Sequence, residues 1–156
     1  MVRPPVTTIT RTVMTGMGGL LGAAVLLLAG TAGAWASVLE GAPCSSVARA
    51  CVDLSSQQAW LLQSGNVTYG PVPVATGKAS APTDPGIFRV FWKDLHHRSS
   101  IFRNAPMPYS VFFNGGDAFH EGSMSVPSSG CVHLTHSAAQ TFYHTLHVGD
   151  VVEVVR

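Results

Sequence analysis

The chain is poor in charge. Only 11% of its 156 residues are Asp, Glu, Lys or Arg, under half of the roughly 25% typical of a soluble domain. With 46% hydrophobic residues beside that low charge, intrinsic disorder is excluded. Nine Lys+Arg against eight Asp+Glu leave a formal net charge of +1. A chain so balanced has no basic footprint, which excludes nucleic acid as a partner. Cysteine is scarce and odd in number, at three. The length suits one domain, and there is no internal repeat.

Charge is missing most completely from Thr12 to Leu39, which hold no charged residue. Within Gly16–Ala36 fourteen residues are apolar and six are glycine, and Arg3 and Arg11 precede the run. A positive start, an apolar centre and a small-residue exit are the layout of a secretory signal. Ala34-Trp35-Ala36 supplies an A-x-A site, with cleavage between Ala36 and Ser37. The same stretch is also about as long as a membrane-spanning helix, so residues 12–39 could instead tether the chain. Both readings export the rest, to a cell-wall or periplasmic-type space or into the medium. Pro43 before Cys44 argues against a lipid-acceptor cysteine. Without residues 1–36 the chain has 120 residues, seven Lys+Arg and eight Asp+Glu, a formal charge of −1.

Residues 37–50 read as a linker and entry loop. Cys44 and Cys51 lie seven apart at the start of the exported part, where disulfides persist. A bond between them would pin that end; two free thiols, or one paired with Cys131, are the alternatives. Short alternating runs follow, at 51–54, 59–62, 67–70 and 72–75, the last two broken by prolines as at an edge or bulge. Ile87–Trp92 alternates as one strand, 93–108 reads as polar His-rich loops, and Tyr109–Phe113 and Ala118–His120 flank a turn at 114–117. One helix is clear. Thr135 or Ser137 caps it, Ser137 with Gln140 fits a capping box, and Ala138, Phe142 and Leu146 share one face. Val151–Val155 closes the chain as a strand. The fold class is therefore mostly β, a sandwich or barrel with one α-helix near the C-terminus.

All seven histidines lie between His96 and His147, and the reactive groups concentrate in 120–134. A cysteine nucleophile needs a base, because a free thiol with pKa near 8.5 is mostly protonated at neutral pH. An imidazole can take that proton, and backbone N–H groups can receive the developing oxyanion. Gly130 before Cys131 would let substrate approach, and the helix start near 135–137 would favour a thiolate through its dipole. His120 ends a strand eleven positions earlier, and a hairpin-like loop would bring it opposite Cys131.

Ser128-Ser129-Gly130-Cys131-Val132-His133 resembles the S-x-G-C-x-[RN] signature of L,D-transpeptidases, the YkuD-type catalytic domain. Val52–Leu61 resembles that family's opening hairpin, and Gly70–Lys78 its second strand. Pro85–Val90 is similar to its T-P-x-G-x-F segment, 108–122 to the approach to its histidine, and 149–152 to its closing strand. The likeness spans about 51–155, so 51–156 is expected to be the catalytic domain, a YkuD-like sandwich or barrel. The resemblance implies an exported enzyme that attacks a peptidoglycan stem peptide after its third residue. It then passes the acyl group to another stem's amine as a 3→3 cross-link, or to water. It implies Cys131 as nucleophile and His120 as proton donor and acceptor. Gly130 and Cys131 amides would form the oxyanion hole, with Ser128 and Ser129 in support. His133, Tyr109 and Met107 are candidate substrate contacts. Donor and acceptor stems are the expected partners, β-lactams of the carbapenem type the expected inhibitors, and no cofactor or metal is implied. The chain departs from the pattern at Ser129, where histidine is frequent, at His133, where arginine or asparagine is, and at Glu121, where glycine or serine is.

Other readings of the same residues are a buried inert Cys131 and a zinc site built from Cys131, His133, His136 and His120. His96-His97 reads as a solvated pair, Trp60 and Trp92 as core, and the basic residues 89, 93, 98 and 103 as a solvated face. At the level of function the alternatives are an L,D-carboxypeptidase, a wall-protein attachment enzyme and a catalytically weak wall-binding module. Cleavage after Ala36 predicts that N-terminal sequencing of exported protein starts at Ser37; a start upstream of the apolar run identifies a retained anchor.

Overall fold

The computed structural model describes residues 41–156; the export segment and A-x-A site expected over 1–36 lie outside the described residues. Nine strands and one helix follow in order: β1 (Ala50–Asp53), β2 (Gln58–Gln63), β3 (Asn66–Pro73), β4 (Gly86–Arg89), β5 (Trp92–Arg98), β6 (Pro106–Asn114), β7 (Asp117–Glu121), β8 (Val132–Leu134), α1 (His136–Thr145) and β9 (Val151–Val155). They build a five-stranded sheet ordered β3-β2-β1-β9-β4 and a four-stranded sheet ordered β5-β6-β7-β8.

Alternation explains the layering, because successive strand residues face opposite sides of a sheet. In the first sheet Ala50, Val52, Ala59, Leu61, Val152 and Val154 face the shared core, and in the second Val111, Phe113, Phe119, Val132 and Leu134 do. Ala138, Phe142 and Leu146 add the helix's apolar face to the same core. Phe142 packs on Phe119 with ring centroids 5.1 Å apart and reaches Tyr69 of β3 at 6.3 Å. The outer face of the first sheet has its own small cluster of Ala48, Cys51, Trp60 and Leu62, and Cys44 is bonded there to Cys51.

The β2–β3 hairpin turns on Ser64 and Gly65, both at positive φ (51° and 79°), the backbone of a tight two-residue hairpin. β3 is an edge strand whose pairing with β2 shifts register twice, which accommodates its two prolines. The continuous alternation over Ile87–Trp92 does not form one strand. The Val90 N–H donates to Asp150 O beside the first sheet, and the Phe91 N–H donates to Phe112 O in the second. The chain changes sheets between those residues without breaking its period, so side-chain pattern alone could not reveal the junction. The polar stretch after it is also not all loop: Trp92–Arg98 is edge strand β5, and only the segment up to Ala105 is irregular.

Thr135, not Ser137, caps the helix, its Oγ1 accepting the Ala138 N–H at 3.4 Å. Ser137 is inside the first turn, so the Ser137–Gln140 capping box does not form. The other end is held by Lys93 of β5. Its Nζ donates to the carbonyls of Tyr143 and Leu146, the latter at 2.6 Å, and sits 4.4 Å from the Tyr143 ring centroid. A cation at a helix C-terminus meets the unpaired carbonyls and the negative end of the dipole, so Lys93 is not part of a solvated basic face.

The Cys44–Cys51 bond closes a short loop over the buried Cys51. Replacing both cysteines by serine is expected to lower unfolding free energy by about 2–3 kcal/mol, read by urea denaturation of oxidised wild type against the variant.

Candidate active site

The candidate reactive residues lie on the side of the second sheet away from the core. On β7, Phe119 faces the core while Ala118 and His120 face the other way; on β8, Val132 and Leu134 face the core and His133 faces outward. β7 and β8 are parallel, with Phe119 opposite Val132 and His120 opposite His133. Directly paired residues on one face are neighbours, so the two imidazoles meet edge to face with centroids 4.9 Å apart. Cys131, one residue before β8, joins the same face and packs beside Met107, Phe112 and Ala118. All of these except Ala118 line one cleft of about 580 Å³, rimmed by Phe91, Trp92, Ile101 and Phe102.

The connection from β7 to β8 is a parallel crossover, not the expected hairpin. It runs ten residues, from Gly122 to Cys131, without a helix, shorter than the dozen or more usual between parallel strands. Main-chain bonds to the segment after β3 hold it. The Ser128 N–H donates to Thr76 O, the Lys78 N–H to Ser128 O, and Ala75 and His133 exchange both of their backbone bonds. Buried Thr83 accepts the Gly77 N–H and donates to Gly130 O at 2.7 Å. Gly130 has φ 115°, and a Cβ there would lie 2.1 Å from Asp117 Oδ1. Glycine is thus required both for the backbone conformation and because the Asp117 carboxylate occupies that space.

Each histidine's hydrogen bond fixes its tautomer. His120 Nδ1 is 2.7 Å from Glu121 O and His133 Nδ1 is 2.9 Å from Ser123 O. A carbonyl only accepts, so both Nδ1 atoms carry hydrogen, and a neutral ring keeps its lone pair on Nε2. Burial pulls the His120 pKa down to about 4; the Glu121 carbonyl bond opposes this and the nearby His133 adds to it. Burial pushes the Cys131 thiol up to about 11, with the Asp117 charge adding and an Ala118 backbone bond opposing. The resting pair is therefore neutral imidazole and neutral thiol rather than an ion pair. The helix does not supply a thiolate site, since β8 stands between Cys131 and the first turn and the Sγ–H is directed to Gly116 O at 3.7 Å.

The other expected residues divide. Ser129, His133 and Met107 line the cleft. Ser128 Oγ accepts the Gly130 N–H at 3.2 Å and donates to Cys131 O, so the Gly130 amide is already engaged. The Cys131 N–H has no partner among the described residues and is the amide left for an oxyanion. Tyr109 is not in the cleft. Two residues from Met107 on a strand it would share its face, but Tyr109 itself has φ 59°, which turns its ring to the helix beside Tyr143 and His136, at 5.9 and 5.4 Å. His97 is not a solvated loop residue: it stands on β5, lines the cleft and bonds Asp94 at 3.1 Å. Trp60 is core, whereas Trp92 is 45% exposed and stacks on Phe112 in the cleft wall. Among the described residues no three His, Cys, Asp or Glu side chains are grouped to hold a metal. Asp117 falls in the expected turn at 114–117 and Thr83 in no recognised motif; no local signal marks either, because their partners lie 13 and 47 positions away.

A family model for the L,D-transpeptidase catalytic domain matches residues 48–154. A crystal structure of an L,D-transpeptidase from Stackebrandtia nassauensis is 33% identical with TM-score 0.65, the match covering 69% of this chain and 54% of that one. An L,D-transpeptidase in complex with imipenem is 25% identical with TM-score 0.62, covering 68% and 57%. L,D-transpeptidase 3 from Mycobacterium tuberculosis, with a faropenem-derived adduct, is 18% identical with TM-score 0.61, covering 69% and 59%; at that identity the likeness is one of fold. The chain spans less than two thirds of the length of each of these structures. No curated protein matches it.

A histidine whose folded pKa lies below its unfolded value of about 6.5 leaves the unfolded chain binding more protons between the two values, so stability rises with pH there. For His120 that window runs from about 4 to the unfolded value. Wild type is expected to lose stability as pH falls through it, by up to about 1.4 kcal/mol per unit, and His120→Gln to flatten the slope, read by denaturation at pH 4.5, 5.5 and 7.

Proposed function

The chain belongs to the L,D-transpeptidase catalytic-domain family, and from that premise we propose that it is an exported cysteine L,D-transpeptidase acting on peptidoglycan stem peptides. One observation carries this reading: Cys131 and His120 share one face of adjacent strands and line one cleft, with the His120 lone pair left on Nε2. Cys131 Sγ attacks the carbonyl of the donor stem's third residue as His120 Nε2 takes the thiol proton. The Cys131 N–H donates to the oxyanion. His120 returns the proton to the departing amine of the terminal D-residue, leaving a thioester on Cys131. An acceptor stem's amine resolves the thioester into a 3→3 cross-link.

The raised thiol and lowered imidazole make proton transfer part of the attack, since neither group is charged at rest. Carbapenem acylation of Cys131 belongs to the same reading and is supported by the related imipenem complex.

Full-length protein incubated with imipenem is expected to gain one adduct by intact mass, absent in Cys131→Ala and formed about 10²–10⁴-fold more slowly in His120→Ala. His120 must be neutral to accept the proton, so the acylation rate should fall on the acid side only toward pH 4–5, not near 6.5. A well-folded wild type without adduct would point to a wall-binding module. Acylation of a tetrapeptide stem followed only by release of tripeptide would point to a carboxypeptidase.

A further inference from the structure

Asp117 stands where the proposed chemistry gives it no task. It opens β7 and lines the cleft. The preceding residue, Gly116, takes the Cys131 Sγ–H on its carbonyl, and the Asp117 carboxylate presses on Gly130, the residue before Cys131. Residues 116 and 117 thus each touch the nucleophile's own stretch of chain, the first through its carbonyl and the second through its carboxylate. Among the described residues no Lys, Arg or His forms an ion pair with it. Its charge also works against the nucleophile by pushing the thiol further from ionisation. Burial, and then the charge of Asp84, raise the Asp117 carboxyl itself, with an Asn114 side-chain hydrogen bond opposing them. A cation entering the cleft after the thiol has reacted would meet this unpaired carboxylate. The transfer reaction supplies such a group, since an alkyl amine is an ammonium at neutral pH.

We propose that Asp117 is the acceptor-binding residue of the cleft, taking the ammonium of the incoming stem's amine beside the Cys131 thioester. The inference rests on the transpeptidase reading and adds to it the group that selects amine over water. The ammonium releases one proton through the Asp117 carboxylate to solvent. The neutral nitrogen attacks the thioester carbonyl and gives a second proton to His120 Nε2. The C–S bond then breaks and His120 returns that proton to Sγ. The products are an amide, the free thiol and one proton in solution. Donor acylation needs no cation at this place, so Asp117 separates the two half-reactions.

The test uses full-length protein, a tetrapeptide stem as donor and Nα-acetyl-lysine amide as acceptor, with transfer and hydrolysis products separated by mass spectrometry. Asp117→Asn keeps the side chain's shape and is expected to raise the acceptor concentration for half-maximal transfer by about tenfold or more. Thioester would be diverted to water, while acylation is not slowed, because burial still raises the thiol and only the smaller contribution of the Asp117 charge is gone. Asp117→Glu should recover part of the acceptor affinity, and Asp117→Ser serves if the asparagine variant does not fold. A merely structural role would slow both half-reactions. Unchanged half-saturation in Asp117→Asn overturns the proposal and leaves the transpeptidase reading standing. Wild type that acylates yet passes the acyl group to no amine overturns both.

Discussion

The parallel pairing of β7 with β8 is the constraint on which the site depends. Its register sets His120 against His133 and brings Cys131 in beside Ala118. Because side chains alternate, the same register sends Phe119, Val132 and Leu134 into the core. A slip by one residue would exchange the two sets, burying a histidine pair against Phe142 and exposing three apolar side chains. The core therefore holds the register of the candidate site from the opposite face, and what stabilises the sandwich also positions His120, His133 and Cys131.

That pairing needs outside support, because ten residues form a short crossover. The segment 75–78 supplies it by covering the free edge of β8 at His133 and bonding Ser128 farther along. Thr83 ties the same segment to Gly130. The strip from Ala75 to Thr83 thus acts as a brace for the cysteine loop, although it forms no strand or helix of its own. Ser128 completes the brace from within, at the cost of the Gly130 amide. Of the two amides, only that of Cys131 is then left without a partner among the described residues.

The electrostatics are those of two largely buried groups in the cleft wall. Burial disfavours both charged forms, imidazolium and thiolate, and the resting site is neutral. The one carboxylate beside the thiol, Asp117, opposes thiolate formation further. In the proposed reaction the arrangement favours a base that acts as the bond forms over a preformed nucleophilic anion, and the proposed acceptor ammonium would meet the Asp117 charge.

By itself, the sequence determined most of the strand pattern outside 87–98, the Ala138–Phe142–Leu146 face, and the motif around Cys131 with His120 eleven positions before it. These rest on local periodicity and on residue types whose chemistry is their own. Tertiary structure decided the rest. Whether Ile87–Trp92 lay in one sheet depended on hydrogen-bond partners sixty and twenty-one positions away at Asp150 and Phe112. Tyr109 left the cleft because of its backbone angle, and Lys93 became a helix cap because β5 passes the end of α1. Asp117 and Thr83 entered the site only when Gly130 was folded against them. A side chain's identity is local, but the partner that gives it a role is chosen by the register of strands distant in sequence, and no window of residues contains that choice.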